Sequence, residues 1–328
     1  KQSRTDALEQ LEANYPDISV PVMAASDLNG NVIFSSVRML RGLGPIVLHA
    51  HHAKAALVGA LARCFSGTRL VTTAHNNFGT YKIKHKWAFG IAYLLSDRVI
   101  CNSEGTKASL PSFIGRNKIT VIYNGVDFRK IDKVLSGAKP RPDDGSIMIG
   151  TVCRMVPQKD LPTLIHGFDR AYRCSGTPLR LRLVGDGEQR PVIERLIREL
   201  HLEGVVELTG AVLREAVYRH LVNMDVFIVS SRWEGFCNAM VEAAAAGKPI
   251  IASEIDPLPE VVGRDNALFF EAGDSNALCE KMLTLTKDKS QRDALASRAR
   301  EFGRERYALQ HSAKRYGEVY DELENEFT

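Results

Sequence analysis

Short runs rich in Val, Ile and Leu alternate with longer stretches of helical periodicity, and this alternation limits the chain to an α/β fold with parallel sheets covered by helices. In the first half, Pro45–Leu48 reads as a short buried strand, Ala53–Phe65 as a helix and Arg69–Ala74 as a strand. Lys82–Leu95 is then helical, Arg98–Asn102 a strand, Glu104–Phe113 a helix and Ile119–Ile122 another short strand. The polar stretch Ser136–Gly145, broken by Pro140 and Pro142, reads as a linker.

Beyond the linker the same pattern restarts. Ser146–Cys153, Leu179–Val184, Val205–Thr209, Val226–Ser230 and Ile250–Ala252 read as strands. Between them Leu161–Arg173, Pro191–Leu200, Glu215–Asn223 and Phe236–Ala246 read as helices, the last ended by Gly247, and long helices close the chain. Two doubly wound units are expected, residues 1–140 and 145–311, with the carboxyl ends of their strands facing a shared cleft.

Composition removes several alternatives. A length of 328 residues gives room for two ordinary domains, and 45% hydrophobic with 25% charged residues argues against disorder. Cys64, Cys101, Cys153, Cys174, Cys237 and Cys279 form no CxxC pair and no Cys/His cluster, which fits reduced cytosolic thiols rather than disulfides or structural zinc. The apolar run Trp87–Leu95 is about half of what a bilayer span needs. Nothing at the start resembles a signal peptide, so a cytoplasmic location is expected. Charge is uneven: residues 1–145 carry 19 Lys and Arg against 11 Asp and Glu, within a chain of net charge +4. A basic first half suits an anionic membrane surface; with 7% aromatic residues and no nucleic-acid module, nucleic acid is not expected as a partner. An uneven but merely solvated surface is the alternative.

The segment Ser231–Gly263, SRWEGFCNAMVEAAAAGKPIIASEIDPLPEVVG, carries the most chemistry. A helix that starts just after a buried strand presents free backbone N–H groups, a ready phosphate site. Gly235 lets the backbone approach a ligand closely. Two turns into the helix Glu242 can accept from ribose hydroxyls, and Glu234 can meet a sugar on the other side of the phosphate. The plain alternative makes Glu234 a helix-start charge and Glu242 an exposed helix position.

EGFCNAMVE resembles the motif of two glutamates separated by seven residues in the retaining glycosyl transferases of group 1, a GT4-like family that includes lipopolysaccharide-core and mannosyl transferases. AAAAGKPIIAS, PEVVG, GTVCRMVPQKDLPTLIHGF (150–168) and LRLVGDGEQRPVIERL (181–196) are similar to that family too. The resemblance runs through 145–328 and, more weakly, through 45–128. It implies the GT-B fold of two facing Rossmann-like domains, with the last helix, about 312–328, crossing back onto the first. It also implies that Arg154 and Lys159 hold the donor diphosphate, that Glu242 binds the ribose and Glu234 the donor sugar, and that Gly235, Phe236, Cys237 and Asn238 lie near sugar and phosphate. Val212 falls where the family packs the base, and His75, just past the end of a strand, matches the family histidine beside donor sugar and acceptor. His75 and Glu234 are thus the catalytic candidates. Fixed cations at a leaving diphosphate are sound chemistry and need no metal.

Other features are weaker. Val184–Gly187 (VGDG) starts like a dinucleotide fingerprint, but Arg190 stands where its third glycine belongs. His49, His51 and His52 crowd one strand end and read as packing or as direct participants. Tyr81–Phe89 interleaves Lys82, Lys84 and Lys86 with Trp87 and Phe89, which suits an anionic interface or, equally, an amphipathic helix on its sheet. Thr5–Tyr15 reads as a helix and Pro21–Ala24 as a strand, so the family's opening strand and glycine-rich loop are expected to be missing.

The reading is a retaining hexosyltransferase moving sugar from a UDP- or GDP-linked donor to a glycan or lipid-linked acceptor, in cell-surface polysaccharide or lipopolysaccharide synthesis, peripheral on the inner face of the membrane. A sugar-nucleotide epimerase or hydrolase on the same scaffold, and a truncated non-catalytic nucleotide-sugar-binding protein, are the alternatives.

Overall fold

The computed structural model describes residues 30–42, 46–51, 53–139, 141–142 and 144–326. The readings of Thr5–Tyr15 and Pro21–Ala24, the expected loss of an opening strand, and His52 lie outside these residues.

Helix α1 (Gly30–Gly42) precedes a four-stranded parallel sheet of β1 (Val47–Ala50), β2 (Arg69–Ala74), β3 (Arg98–Cys101) and β4 (Ile119–Val121), in that order. The crossovers are α2 (Ala53–Ser66), α3 (Ile83–Leu95) and α4 (Glu104–Ala108). Leu70 to Ala74 of β2 are all buried, as required of a strand covered on both faces. Helix α5 (Phe128–Gly137) leads to the second sheet.

That sheet contains β5 (Ile147–Val152), β6 (Leu179–Val184), β7 (Val206–Gly210), β8 (Val226–Val229), β9 (Ile250–Ser253) and β10 (Leu268–Phe270) in the order β10-β9-β8-β5-β6-β7. All its pairings are parallel. Helices α6 (Leu161–Cys174), α7 (Arg190–Glu199), α8 (Arg214–Val222), α9 (Asn238–Ala245), α10 (Leu258–Val262), α11 (Ser275–Lys287) and α12 (Lys289–Arg306) cover it. Helix α6 buries Leu161, Leu164, Ile165, Phe168 and Ala171, one stripe at helical spacing. Strand order reverses between β5 and β8, the topological switch point at which such sheets open a ligand crevice.

The last helix, α13 (Leu309–Asn325), returns to the first sheet and packs Val319 and Leu323 on Val71, Ile100 and Ile122. The return is pinned by backbone bonds from Val126 N–H to Tyr307 O at 2.8 Å and from Leu309 N–H to Val126 O at 3.1 Å. A Cβ on Gly125 would lie 2.7 Å from Leu309 Cα, so this crossing requires glycine.

Boundaries shift where side chains overrule the pattern. The helix expected over Glu104–Phe113 stops at Ala108, shortly before Pro111. The helix expected from Phe236 begins at Asn238, because Cys237 is left-handed with φ 72°. Helices α1, α5 and α10 and strand β10 had no counterpart in the sequence reading. All six cysteines are free thiols, and among the described residues no helix is long and apolar enough to cross a membrane.

Candidate active site

The loop after β5 and the loop after β8 meet at the switch point and are stitched together. Arg232 N–H donates to Gln158 O at 2.8 Å, Gln158 Nε2 to Trp233 O at 2.8 Å, and Ser230 Oγ to Lys159 O at 2.7 Å. The β5 loop is also strapped to the loop after β6, through Cys153 N–H to Val184 O at 3.0 Å and Met155 N–H to Asp186 O at 2.9 Å. A Cβ on Gly185 would stand 1.9 Å from Cys153 O, and one on Gly187 2.4 Å from Met155 O. The two glycines of VGDG therefore serve close loop packing, which explains the motif without a dinucleotide.

Inside this frame lies Glu234, 5% exposed. It forms an ion pair with Lys159, accepts from Ser231 Oγ at 2.7 Å and from Gln158 Nε2 at 3.3 Å. Burial acts to lower the Lys159 pKa, but neighbouring Cys237 and Glu234 outweigh it and the net shift is upward, so the ammonium stays charged. Arg154 sits on the same loop, is exposed, and has no ion pair among the described residues. One cation is thus held and one is available on the loop where negative charge would be received.

Glu242 is also 5% exposed, which rules out the plain reading of a solvated helix position. Burial raises its pKa, partly offset by Arg214, whose guanidinium ion-pairs with it. Arg214, Ser231 and Gln158 were not singled out in the sequence. Ser231 and Gln158 adjoin named residues, whereas Arg214 lies 28 positions from Glu242 and nothing local links them.

The loop between the glutamates is fixed by its side chains. Phe236 is buried, its ring 5.1 Å from that of Tyr307 and 6.1 Å from that of Tyr123, so only its backbone remains for a ligand. Burial pushes the Cys237 thiol up to about 12, and that of Cys153 to about 11. Asn238 opens α9, is exposed, and its Oδ1 accepts from Asn124 Nδ2 at 3.0 Å. Val212, between β7 and α8, is half-buried and packs on the core beneath α8 and α9.

The carboxyl end of the first sheet comes against this loop. A Cβ on Gly235 would lie 1.7 Å from His75 O, and Ser103 Oγ donates to Gly235 O at 2.8 Å. Asn102 Nδ2 donates to the same His75 carbonyl at 3.1 Å. Across the junction Glu260 accepts from the N–H groups of Glu104 and Gly105 at 2.8 and 3.0 Å. The His75 ring is hydrogen-bonded to His51, Nε2 to Nδ1 at 3.0 Å. His49 instead bonds Tyr320 at 2.6 Å and Thr73 at 2.7 Å, which makes it a packing residue; burial, then His51 and His75, lower its pKa to about 3. Among the described residues no three His, Cys, Asp or Glu side chains are grouped to hold a metal. Of the two aromatics that the interface reading of α3 would turn outward, Trp87 is 70% exposed but Phe89 is buried.

Two parallel α/β sheets with their carboxyl ends converging on a Lys–Glu pair define a glycosyltransferase of the GT-B fold. Residues 135–302 match the family model for glycosyl transferases group 1 and residues 4–130 that for Glycosyltransferase Family 4; the chain belongs to the group 1 family and is a transferase enzyme. An uncharacterized glycosyltransferase of Methanocaldococcus jannaschii is 29% identical over 84% of this chain and 75% of its own length. A lipopolysaccharide core biosynthesis glycosyltransferase of Rhizobium meliloti is 27% identical over 63% of this chain and 58% of its own length. The N-acetylgalactosamine-N,N'-diacetylbacillosaminyl-diphospho-undecaprenol 4-alpha-N-acetylgalactosaminyltransferase of Campylobacter jejuni is 26% identical over 74% of this chain and 67% of that one. The fold is that of Anabaena Alr3699/HepE in its complex with UDP-glucose, TM-score 0.82 at 23% identity, covering 96% of this chain and 89% of that chain.

Proposed function

We propose that this glycosyltransferase retains anomeric configuration and moves a sugar from a UDP- or GDP-linked donor to a glycan or lipid-linked acceptor of the cell surface. The observation that carries the reading is the Lys159–Glu234 pair at the switch point, with exposed Arg154 on the same loop and Glu242 about one turn along the adjoining helix. Breaking a sugar–phosphate bond builds negative charge on the leaving diphosphate, which Lys159, Arg154 and the backbone N–H groups at the start of α9 would meet. Glu242 would exchange Arg214 for ribose hydroxyls, and Glu234 would accept from the donor sugar. His75, oriented by His51, would face the acceptor. The leaving phosphate would help to deprotonate the attacking hydroxyl. In this reading the fixed cations replace a metal, so chelator should leave turnover unchanged.

The relatives from Rhizobium and Campylobacter support a lipopolysaccharide or lipid-linked acceptor. Support for a peripheral position on the inner membrane face comes from α3, where Ile83, Trp87, Ile91 and Leu94 form an exposed apolar stripe beside Lys82 and Lys86.

Calorimetric titration of UDP and GDP into wild type and Glu242→Ala tests the donor site. Binding of one nucleotide that is lost in the variant is expected; binding that survives unchanged would remove Glu242 from the site. Product analysis without acceptor separates the rivals, since rapid epimerisation or hydrolysis of donor with no glycoside formed would replace the transferase reading.

A further inference from the structure

A cleft of about 800 Å³ runs between α5 and α8 and meets the site just described only at Arg214. Lys130, Lys133 and Lys139 line one side and Arg214 and Arg219 the other, against the carboxylates of Asp127 and Glu215. Lys130 pairs with Asp127 at 3.6 Å and Arg219 with Glu215 at 2.9 Å, while Lys133 and Lys139 have no ion pair among the described residues. Arg154, Lys159, Glu234 and Gly235 do not line it. Its volume is that of a small-molecule site, and a concave surface of one dominant sign concentrates counter-ions. Three of the five cations are paired with carboxylates, which leaves Lys133 and Lys139 as the surplus positive charge that an anion would meet.

We propose that this cleft is a second anion site, for a multiply charged phosphate compound, coupled to the donor site through Arg214. The coupling follows from one guanidinium with two claimants. Arg214 lines the cleft and is 67% exposed, yet it also pairs with Glu242, whose side chain is 7% exposed. An anion in the cleft draws Arg214 off Glu242 and frees that carboxylate for the ribose; this step rests on the donor reading given above, whereas the anion site does not. Cleft anion and nucleotide then help each other bind, and the factor is the same in both directions.

Inorganic pyrophosphate is titrated by calorimetry into wild type, Lys130→Glu/Lys133→Glu and Arg154→Ala. Wild type should show two sites. The double variant should weaken one of them roughly tenfold or more, and Arg154→Ala the other. Both lysines are exposed, so the fold should hold, and Lys139→Glu, at another exposed lysine of the lining, repeats the test. Two intact sites in the double variant, or a single wild-type site that the double variant keeps, overturns the cleft site. Loss in the double variant with no change in Arg154→Ala keeps the cleft and counts against the donor reading. With the binding nucleotide at saturation, the cleft should take pyrophosphate about threefold or more tighter, and Arg214→Ala should abolish that gain; a gain that persists overturns the coupling. Phosphatidylglycerol vesicles give the second arm. Vesicle binding lost in the double variant identifies a lipid headgroup as the source, and vesicle binding kept while pyrophosphate is lost identifies a free phosphate compound.

Discussion

The carbonyl of His75 packs so tightly on Gly235 that a Cβ there would lie 1.7 Å from its oxygen. This contact sets how the carboxyl ends of the two sheets meet, because Ser103 holds the Gly235 carbonyl and Asn102 holds that of His75. Gly235→Ala should therefore push the His75 loop away, costing about 1–3 kcal/mol in denaturant unfolding and most of the activity. Wild-type turnover in that variant would show that the junction opens during catalysis.

Cys237 is held at φ 72° at the start of α9, where a side chain is strained and glycine is not. Cys237→Gly should be more stable than Cys237→Ala by about 1 kcal/mol, the reverse of the usual helical order. With its thiol pushed up by burial, Cys237 should also react with thiol reagents well after exposed Cys64 and Cys174. Equal stability of the two variants would mean that the loop relaxes.

Lys159 and Glu234 form a pair with side chains 17% and 6% exposed. Lys159→Met strands a buried carboxylate and should destabilise by about 3 kcal/mol. Glu234→Gln keeps partners for Ser231 and Gln158 and should fold, yet lose about a hundredfold in kcat/KM. A Glu234→Gln enzyme with full kcat/KM would reduce the pair to a structural brace.

His49 should make the fold acid-sensitive. Its pKa is about 3 when folded against an ordinary value of 6.5, so between the two the unfolded chain binds more protons. Stability then falls as pH drops below about 6.5 and keeps falling toward pH 3. The stability advantage of wild type over His49→Asn should shrink across that window, measured by urea unfolding at each pH. Parallel curves would mean that His49 is not held neutral.

Trp87 and Ile91 are 70% and 44% exposed on the outer face of α3. If this face meets lipid, Trp87→Ala/Ile91→Ala should weaken sedimentation with anionic vesicles by about tenfold or more while donor binding is unchanged. Unaltered sedimentation would move the contact elsewhere.

Strand positions were legible because covered strands need apolar runs and half-covered ones alternate: Arg69–Ala74, buried from Leu70 on, and Leu179–Val184, alternating Leu with Arg, were read to the residue. Strand β10 has only three residues, and α5 ends inside Ser136–Gly145, the segment whose prolines read as linker. Arg154 and Lys159 could be named from the sequence only because 150–168 resembles the group 1 family, whereas Glu234 also stood out by its place between a buried strand and the start of a helix.

By itself the sequence determined the α/β class, the restart that makes two sheets, and the segments that end at the switch point, because periodicity and turn chemistry are local properties of the chain. Only the tertiary structure decided that Arg214 covers Glu242, that His75 closes on Gly235, that Phe89 turns inward while Trp87 turns outward, and that α5 and α8 enclose a basic cleft. Those outcomes depend on which distant surfaces pack together, and a carboxylate's partner 28 residues away leaves no mark on the residues beside it.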